Sequence, residues 1–382
     1  MSIHLLITTD TQLQQFCSQA ALAPFLYLDT EFVRTRTLRP QLGLIQAYDA
    51  NQVVLIDPLA DIDLEPFWSL LTLPSLTKVL HSCSEDLEVF KYAAKRQPAP
   101  LFDTQVAAAL LNMGMSIGYA PLAEKLLDVY IDKGATRTDW VARPLSEEQL
   151  SYAAKDVLYL KPISEQLMAG LNARGIYNYV LQEGELLVAK RNQDKVPQLV
   201  YQDIKNAWRL NSQELAVLQQ LAAWRQVQAE KQDLALNFVL REPTLFAIAK
   251  DQPLTMSQLK QVSGITPQEC RRHGATILEI VEQSRQIPDG QQPKPLARLV
   301  DFDGYKGLFR QLKAVVEQAA KANNIPVESI ASRRQLNQLL SWHWKVNDEH
   351  KANSLKPDLL QGWRNEIAGK ALLELLGVNT CQ

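Results

Sequence analysis

The sequence predicts an α/β part of about 175 residues, a mixed sheet flanked by helices, followed by two all-α helical bundles. Three observations lead there. Short apolar runs of strand type crowd the first 60 residues, strand and helix signals then alternate, and beyond about residue 176 apolar residues recur only at helical spacing. A chain of 382 residues also exceeds one typical domain of ~100–200 residues.

Phe25 to Leu28, Leu42 to Tyr48 and Val53 to Ile56 are the first strands, with a hairpin turn at Asp49-Ala50-Asn51-Gln52, so the three predict an antiparallel meander. Lys78 to His81 is a further strand. Ser82-Cys83-Ser84-Glu85 has the form of a capping box and predicts a helix from there to about Lys95. Helices follow near 103–113 and 119–127. Residues 130–145 carry no periodicity and predict a long ordered loop, after which Ser146-Glu147-Glu148-Gln149 predicts a firmly capped helix.

The resulting division is an α/β part at 1–175, a connector at 176–208, a first helical domain at 209–288 and a second at 296–382. Leu215, Leu218 and Ala222, then Phe246 and Ala249, set the helical period in the first bundle, and Ile287 to Pro295 is a Pro/Gly/Gln connector between the bundles. Both bundles combine a long first helix, a short one at Pro243 or Pro326 and an aliphatic closing helix, the pattern of a duplication.

Composition narrows the chemistry. Hydrophobic residues at 46% and charged residues at 21% fit a folding globular chain, and neither a leader nor an apolar run of ~20 residues is visible, so the expected location is cytoplasmic. Cys17, Cys83, Cys270 and Cys381 are far apart, and the five histidines make no HxxxH pattern. This argues against a zinc cluster, and any metal must be held by oxygen ligands, which favours Mg2+ or Mn2+ over structural zinc. Net charge is −2 overall. Residues 1–175 hold 14 Lys/Arg against 20 Asp/Glu, a net of −6, and the remainder holds 26 against 22, a net of +4. An acidic front half suits a carboxylate site, and a basic back half suits phosphate contacts.

Asp29 and Glu31 follow the strand at Phe25 to Leu28, and residues two apart in an extended chain project to one face. Asp86 falls in the first turn of the helix after the second strand region, where α/β sheets place ligands. Tyr152 and Asp156 are four apart on the capped helix, one above the other. Taken singly, each has a plain structural alternative: exposed acids at a strand end, an acid favoured by a helix dipole, a packed aromatic beside a surface acid. Asp103, which opens the next helix, reads as such a dipole-placed acid. Four acids converging on one point would repel each other unless cations neutralise them, and two divalent ions would serve phosphodiester hydrolysis, with the Tyr152 phenol orienting the attacking water.

Asp29-Thr30-Glu31-Phe32, His81 to Phe90 and Tyr152-Ala153-Ala154-Lys155-Asp156 resemble, in order and spacing, the three exonuclease motifs of the DEDD superfamily in its tyrosine-bearing branch. The stretches Phe32 to Thr37, Gln41 to Gln46 and Thr138 to Leu145 are similar to the ribonuclease D family in particular. Arg241 to Ala249, Leu259 to Ile265 and, in more diverged form, Asn323 to Leu336 resemble its helicase-and-RNase-D C-terminal (HRDC) domains.

The resemblance implies an RNase H-like fold and two divalent ions, Mg2+ or Mn2+, held by Asp29, Glu31, Asp86 and Asp156, with Tyr152 completing the catalytic set. It also implies stepwise release of 5′-mononucleotides from RNA 3′ ends, with tRNA precursors as the expected substrate; no small-molecule cofactor and a monomeric state are further expectations. By the same resemblance Phe32 faces the terminal nucleotide and Lys133 contacts a phosphate. A DNA-directed 3′→5′ exonuclease and an inactive RNA-binding scaffold are the competing readings. The metal chemistry does not itself use the 2′-hydroxyl, and the complete set of five residues argues against the scaffold.

Overall fold

The computed structural model describes residues 4–131, 138–194, 196–345 and 355–377. The described residues form two compact units, one of residues up to Val33, Pro40–Gln193 and from Gly304 onward, the other of Arg34–Arg39 and Asp194–Asp303.

The first unit is built on six strands: β1 (His4–Ile7), β2 (Phe25–Val33), β3 (Gln41–Tyr48), β4 (Val53–Ile56), β5 (Thr77–Leu80) and β6 (Leu101–Asp103), in the order β1-β4-β3-β2-β5-β6. β2, β3 and β4 pair antiparallel as the expected meander, while β1 on β4 and β5 and β6 beside β2 pair parallel, making the sheet mixed. β1 and β6 are too short to have shown a period of two in the sequence. β2 also runs further than its apolar start implied, so Asp29 and Glu31 lie within the strand, in register opposite Gln46 and Leu44.

The two faces of the sheet have different jobs. Leu26, Leu28, Ile45, Ala47, Val54 and Ile56 point to one side, packing with Leu13 and Phe16 of α1 (Asp10–Ala20), Phe67 and Leu71 of α2 (Glu65–Leu71) and Leu87 and Phe90 of α3 (Ser84–Ala93). The alternation of the pleat sends Tyr27, Asp29 and Glu31 to the other. After α4 (Thr104–Leu110) and α5 (Tyr119–Leu127), that second face is covered by α6 (Glu147–Leu158), which lies across β2, β3 and β4. The capping box of α6 forms as predicted: the Ser146 hydroxyl accepts from Gln149 N at 3.2 Å and the Gln149 side chain accepts from Ser146 N at 2.9 Å.

The box predicted at Ser82–Glu85 does not form. α3 begins at Ser84 with no side-chain cap of its own, because Asp103 at the end of β6 accepts from Ser82 N at 3.0 Å and Cys83 N at 2.9 Å. The same carboxylate caps α4 through Gln105 N at 2.8 Å. A buried carboxylate serving four amides, Val106 N among them at 3.4 Å, outcompetes a local serine.

α7 (Leu160–Ala173) and α8 (Tyr177–Asn192) continue this unit, and the C-terminal helices pack on it. These are α14 (Tyr305–Asn323), α15 (Val327–Ile330), α16 (Arg333–Lys345) and a closing helix, Gly362–Arg364 and Lys370–Leu375 joined through a π-form turn at Asn365–Gly369. Trp363, 1% exposed, stacks on Tyr179 of α8 at 4.9 Å between centroids and 11° between planes. Its indole nitrogen donates to Glu183 at 2.7 Å, and its amide to Gln182 at 2.6 Å. Arg364 also pairs with Glu183, and Lys190 reaches Asp358 at 2.6 Å.

The second unit is all helical: α9 (Ser212–Gln232), α10 (Leu236–Val239), α11 (Glu242–Asp251), α12 (Met256–Leu259) and α13 (Pro267–Arg285). Reciprocal capping boxes at Asn211/Glu214, Thr255/Gln258 and Thr266/Glu269 fix three of its helix starts, and Leu215, Leu218, Leu221, Leu245, Ile248 and Ile277 fill its core. Among the described residues no helix is long and apolar enough to cross a membrane.

Candidate active site

β2 and α6 bring the predicted residues together. Carboxylate oxygens of Asp29, Glu31 and Asp156 all lie within 4.8 Å of one another, on the face of the sheet that α6 covers. Asp29 and Glu31 share that face by the strand period of two. Tyr152 and Asp156 share one side of α6 by the helical spacing of four.

Asp86 reaches the group from α3, on the opposite side of the sheet. Thr30, whose side chain points to that opposite side, donates from its hydroxyl to Asp86 Oδ1 at 2.5 Å, and the charges of Asp86 and Asp29 act directly on each other. The x of the Asp-x-Glu motif therefore has a partner of its own. It anchors the fourth acid across the strand that carries the first two. The signal for Thr30 in the sequence is the alternation itself, which puts Asp29 and Glu31 on one face and the residue between them on the other.

A cleft of about 460 Å³ opens beside these groups, lined by Asp29, His81, Tyr119, Tyr152 and Asp156 among others. His81 Nδ1 is 2.9 Å from the Thr104 hydroxyl, and the Tyr119 hydroxyl donates to the Lys155 carbonyl at 3.0 Å, holding α6 from the cleft side. Phe32 sits half-buried in β2 just past a register shift, opposite Leu42, and is not among the residues lining the cleft. Lys133 lies outside the described residues.

The site is electrostatically unfinished as a protein-only assembly. Burial first, and then the neighbouring carboxylates, push Glu31 up to about 10 and hold Asp29 and Asp86 well above the usual carboxylate range. Burial raises Asp156 to about 7, against the lowering effect of its hydrogen bond from Tyr152. Asp156 Oδ2 is buried and has no hydrogen-bond partner among the described residues. Clustered acids with an unpartnered oxygen, and no lysine or arginine among the described residues lining the cleft, are the donor set that a hard divalent ion fits.

The sign of the resulting pH dependence follows. A carboxyl whose folded pKa is raised favours the folded state fully below its unfolded value near 4, and that contribution is lost as pH rises through about 7 for Asp156 and about 10 for Glu31. In chelator, Tm is expected to fall as pH is raised from 5 to 9, and Mg2+ to restore most of the loss at the alkaline end. A Tm flat with pH in chelator would contradict the clustering.

Arg143 fixes the loop before α6. Its Nε and Nη2 pair with Asp57 at 2.7 and 2.6 Å, Nη1 donates to the carbonyls of Trp140 at 2.9 Å and Ala142 at 2.8 Å, and Nη2 also reaches Gly43 O at 2.6 Å. Trp140 is thereby pressed onto Gly43, where a Cβ would stand 2.5 Å from the Trp140 carbonyl oxygen. Gly43 is also the residue skipped in the β2–β3 register. The Trp140 ring lies 6.1 Å from that of Tyr152. Arg143→Lys keeps the charge but loses the fork. It is expected to cost about 1–3 kcal/mol of stability in thermal or urea melts, because Asp57 and the part-buried carbonyls of Trp140 and Gly43 lose their donors; a Tm unchanged from wild type would argue against this role.

Comparison with known proteins accords with this geometry. A 3′-5′ exonuclease family model matches residues 5–172, an HRDC domain model residues 214–281, and a ribonuclease D C-terminal HRDC domain model residues 303–372. Ribonuclease D of Escherichia coli K12 is 44% identical over 371 residues, covering 97% of this chain and 98% of its own length. The chain belongs to the ribonuclease D family. The family's Haemophilus influenzae member is 41% identical over 97% of this chain and 92% of its own.

The crystal structure of Escherichia coli RNase D, described as an exoribonuclease involved in structured RNA processing, superposes with a TM-score of 0.93 at 43% identity over 99% of both chains. The catalytic core of RRP6 from Trypanosoma brucei, at 22% identity and a TM-score of 0.58 over 73% of this chain and 79% of its own, shares the fold. As a member of the ribonuclease D family the chain is an enzyme, a 3′→5′ exoribonuclease with HRDC domains, and its exonuclease fold implies divalent metal ions.

Proposed function

We propose that the chain shortens RNA from the 3′ end one nucleotide at a time, releasing 5′-mononucleotides, with tRNA precursors as substrate and two divalent ions at the site. The meeting of Asp29, Glu31 and Asp156 within 4.8 Å, with Asp86 tied in through Thr30, carries this reading. In it Asp29, Glu31, Asp86 and Asp156 would hold the ions.

Bound there, such ions would supply charge neutralisation at the scissile phosphate and a lower pKa for the attacking water. The protein does the rest. The four carboxylates fix where the phosphate sits, the apolar wall of the cleft from Leu28, Ile131 and Leu160 limits water, and the Tyr152 hydroxyl, bonded to Asp156, orients the nucleophile.

Tyr152→Phe removes that hydroxyl and keeps the ring packed on Trp140. The expected result is a fall in kcat of about 10²- to 10³-fold with KM within about threefold, measured on a short RNA. An unchanged kcat would take Tyr152 out of the reaction.

The reading as a whole is tested by the products from a 3′-tailed tRNA precursor with and without Mg2+ or Mn2+. A ladder of single-nucleotide steps that appears only with a divalent ion is expected. Internal fragments, or a matched DNA oligomer degraded faster than the RNA, would overturn it.

A further inference from the structure

The segment just after the Asp-x-Glu strand belongs by its hydrogen bonds to the helical unit. Ala235 N donates to Arg36 O at 2.8 Å, Leu38 N to Asp233 O at 3.2 Å and Arg39 N to Asp233 Oδ1 at 3.0 Å, so residues 34–39 are clamped to the corner between α9 and α10. This clamp places the Arg36 guanidinium over the ring of Phe238, 5.2 Å from its centroid. Beside the pair is a cavity of about 270 Å³ whose lining includes Arg36, Asn237, Phe238, Arg241, Arg272 and His273.

Three features of this pocket are costly without a ligand. Three exposed guanidiniums share one small concavity, so their charges oppose one another. Phe238 leaves 45% of its surface in water. The acid in the lining, Glu269, is turned to its own helix start, accepting from Thr266 N at 2.6 Å. His273, edge-on to Trp224 at 5.2 Å, is held below its ordinary pKa by burial and by Arg272, which makes it a neutral hydrogen-bonding group.

Guanidinium forks match phosphate oxygens in pairs, and a guanidinium stacked on an aromatic ring offers a platform for a nucleobase. We propose that this pocket is a second RNA subsite, built jointly by residues 34–39 and the helical unit, that takes one base and its flanking phosphates from a stretch of RNA other than the nucleotide being removed. It rests on the exoribonuclease reading and adds to it an anchoring point whose lining includes none of the catalytic residues. Arg36 is five residues beyond Glu31 in sequence, so the anchor and the catalytic strand are covalently contiguous.

The test is binding of a fluorescent 12-nucleotide single-stranded RNA by the full chain in chelator, so that nothing is cleaved, across a salt series. The double variant Arg36→Ala with Arg272→Ala is expected to raise Kd at least about tenfold at low salt. It should also flatten the slope of log K against log salt by about 1.4, at ~0.7 for each single-strand phosphate no longer neutralised. Phe238→Ala is expected to raise Kd by about 5- to 150-fold, the effect of one stacked base. Arg272→Glu serves as the second variant, and melting curves check that each folds.

Unchanged Kd and unchanged slope in folded variants would overturn the subsite. Hydrolysis of a ribodinucleotide with Mg2+ tests the enzymatic reading separately. Wild type failing there would sink that reading, whereas wild type and variants cleaving it equally is the outcome expected of an anchor outside the catalytic group.

Discussion

Asp156→Asn is expected to lower kcat on a short RNA by at least about 10³-fold, close to 4 kcal/mol of barrier, with the fold intact. The side chain is isosteric and stays bonded to Tyr152, but a neutral amide cannot help Asp29 and Glu31 hold a cation. Asp156 also differs from an ordinary ligand in being a destabilising charge. Burial raises its pKa to about 7, so above that pH the ion-free protein carries an anion that its surroundings disfavour. The same substitution is therefore expected to raise Tm in chelator at pH 8 while abolishing the stabilisation that Mg2+ confers. Turnover within tenfold of wild type would remove Asp156 from the metal site, and a lower Tm in chelator would mean that the carboxylate stabilises the fold by some other interaction.

Trp363→Ala should give the largest loss of stability, about 3–5 kcal/mol, because a fully buried indole leaves a cavity between the closing helix and α8. The substitution also strips Glu183 of the indole donor it shares with Arg364, leaving a half-buried carboxylate less well paired. Chemical denaturation should show a lower midpoint. A separate early transition of the C-terminal helices, before the sheet melts, would indicate that the two fold independently. The packing predicts a single transition, since Asn324 accepts from Asn112 at 3.3 Å and also bonds Arg174, and Ser329 reaches the Ala109 carbonyl, so several catalytic-side elements hold the same helices. A midpoint equal to wild type would contradict the burial of Trp363.

These two residues divide differently between sequence and tertiary structure. Asp156 is visible in the sequence as one of a pair at helical spacing behind a good cap, and its partner acids at strand spacing. Trp363 is not, because nothing local distinguishes a docking tryptophan from a core one. The helical part of the sequence announces bundles, yet the packing of the C-terminal bundle on α8 depends on matches between residues far apart in the chain, such as Gln182 and Trp363. In the same way the Ser82–Glu85 box is a sound local pattern that loses to Asp103, a carboxylate from another strand.

The sequence by itself determined what short-range geometry controls. Asp29 and Glu31 share a face because a strand alternates, Tyr152 and Asp156 share a side because a helix turns every ~3.6 residues, and α6 starts at Ser146 because its cap is reciprocal. Only the tertiary structure decided that Asp86 arrives through Thr30 from across the sheet, that Arg143 seats Trp140 beside Tyr152, and that burial holds four acids above the ordinary carboxylate range. The physical reason is range. Dihedral preference and capping act over a few residues, whereas desolvation and packing depend on the sum of distant groups brought together once the sheet and α6 have closed on each other.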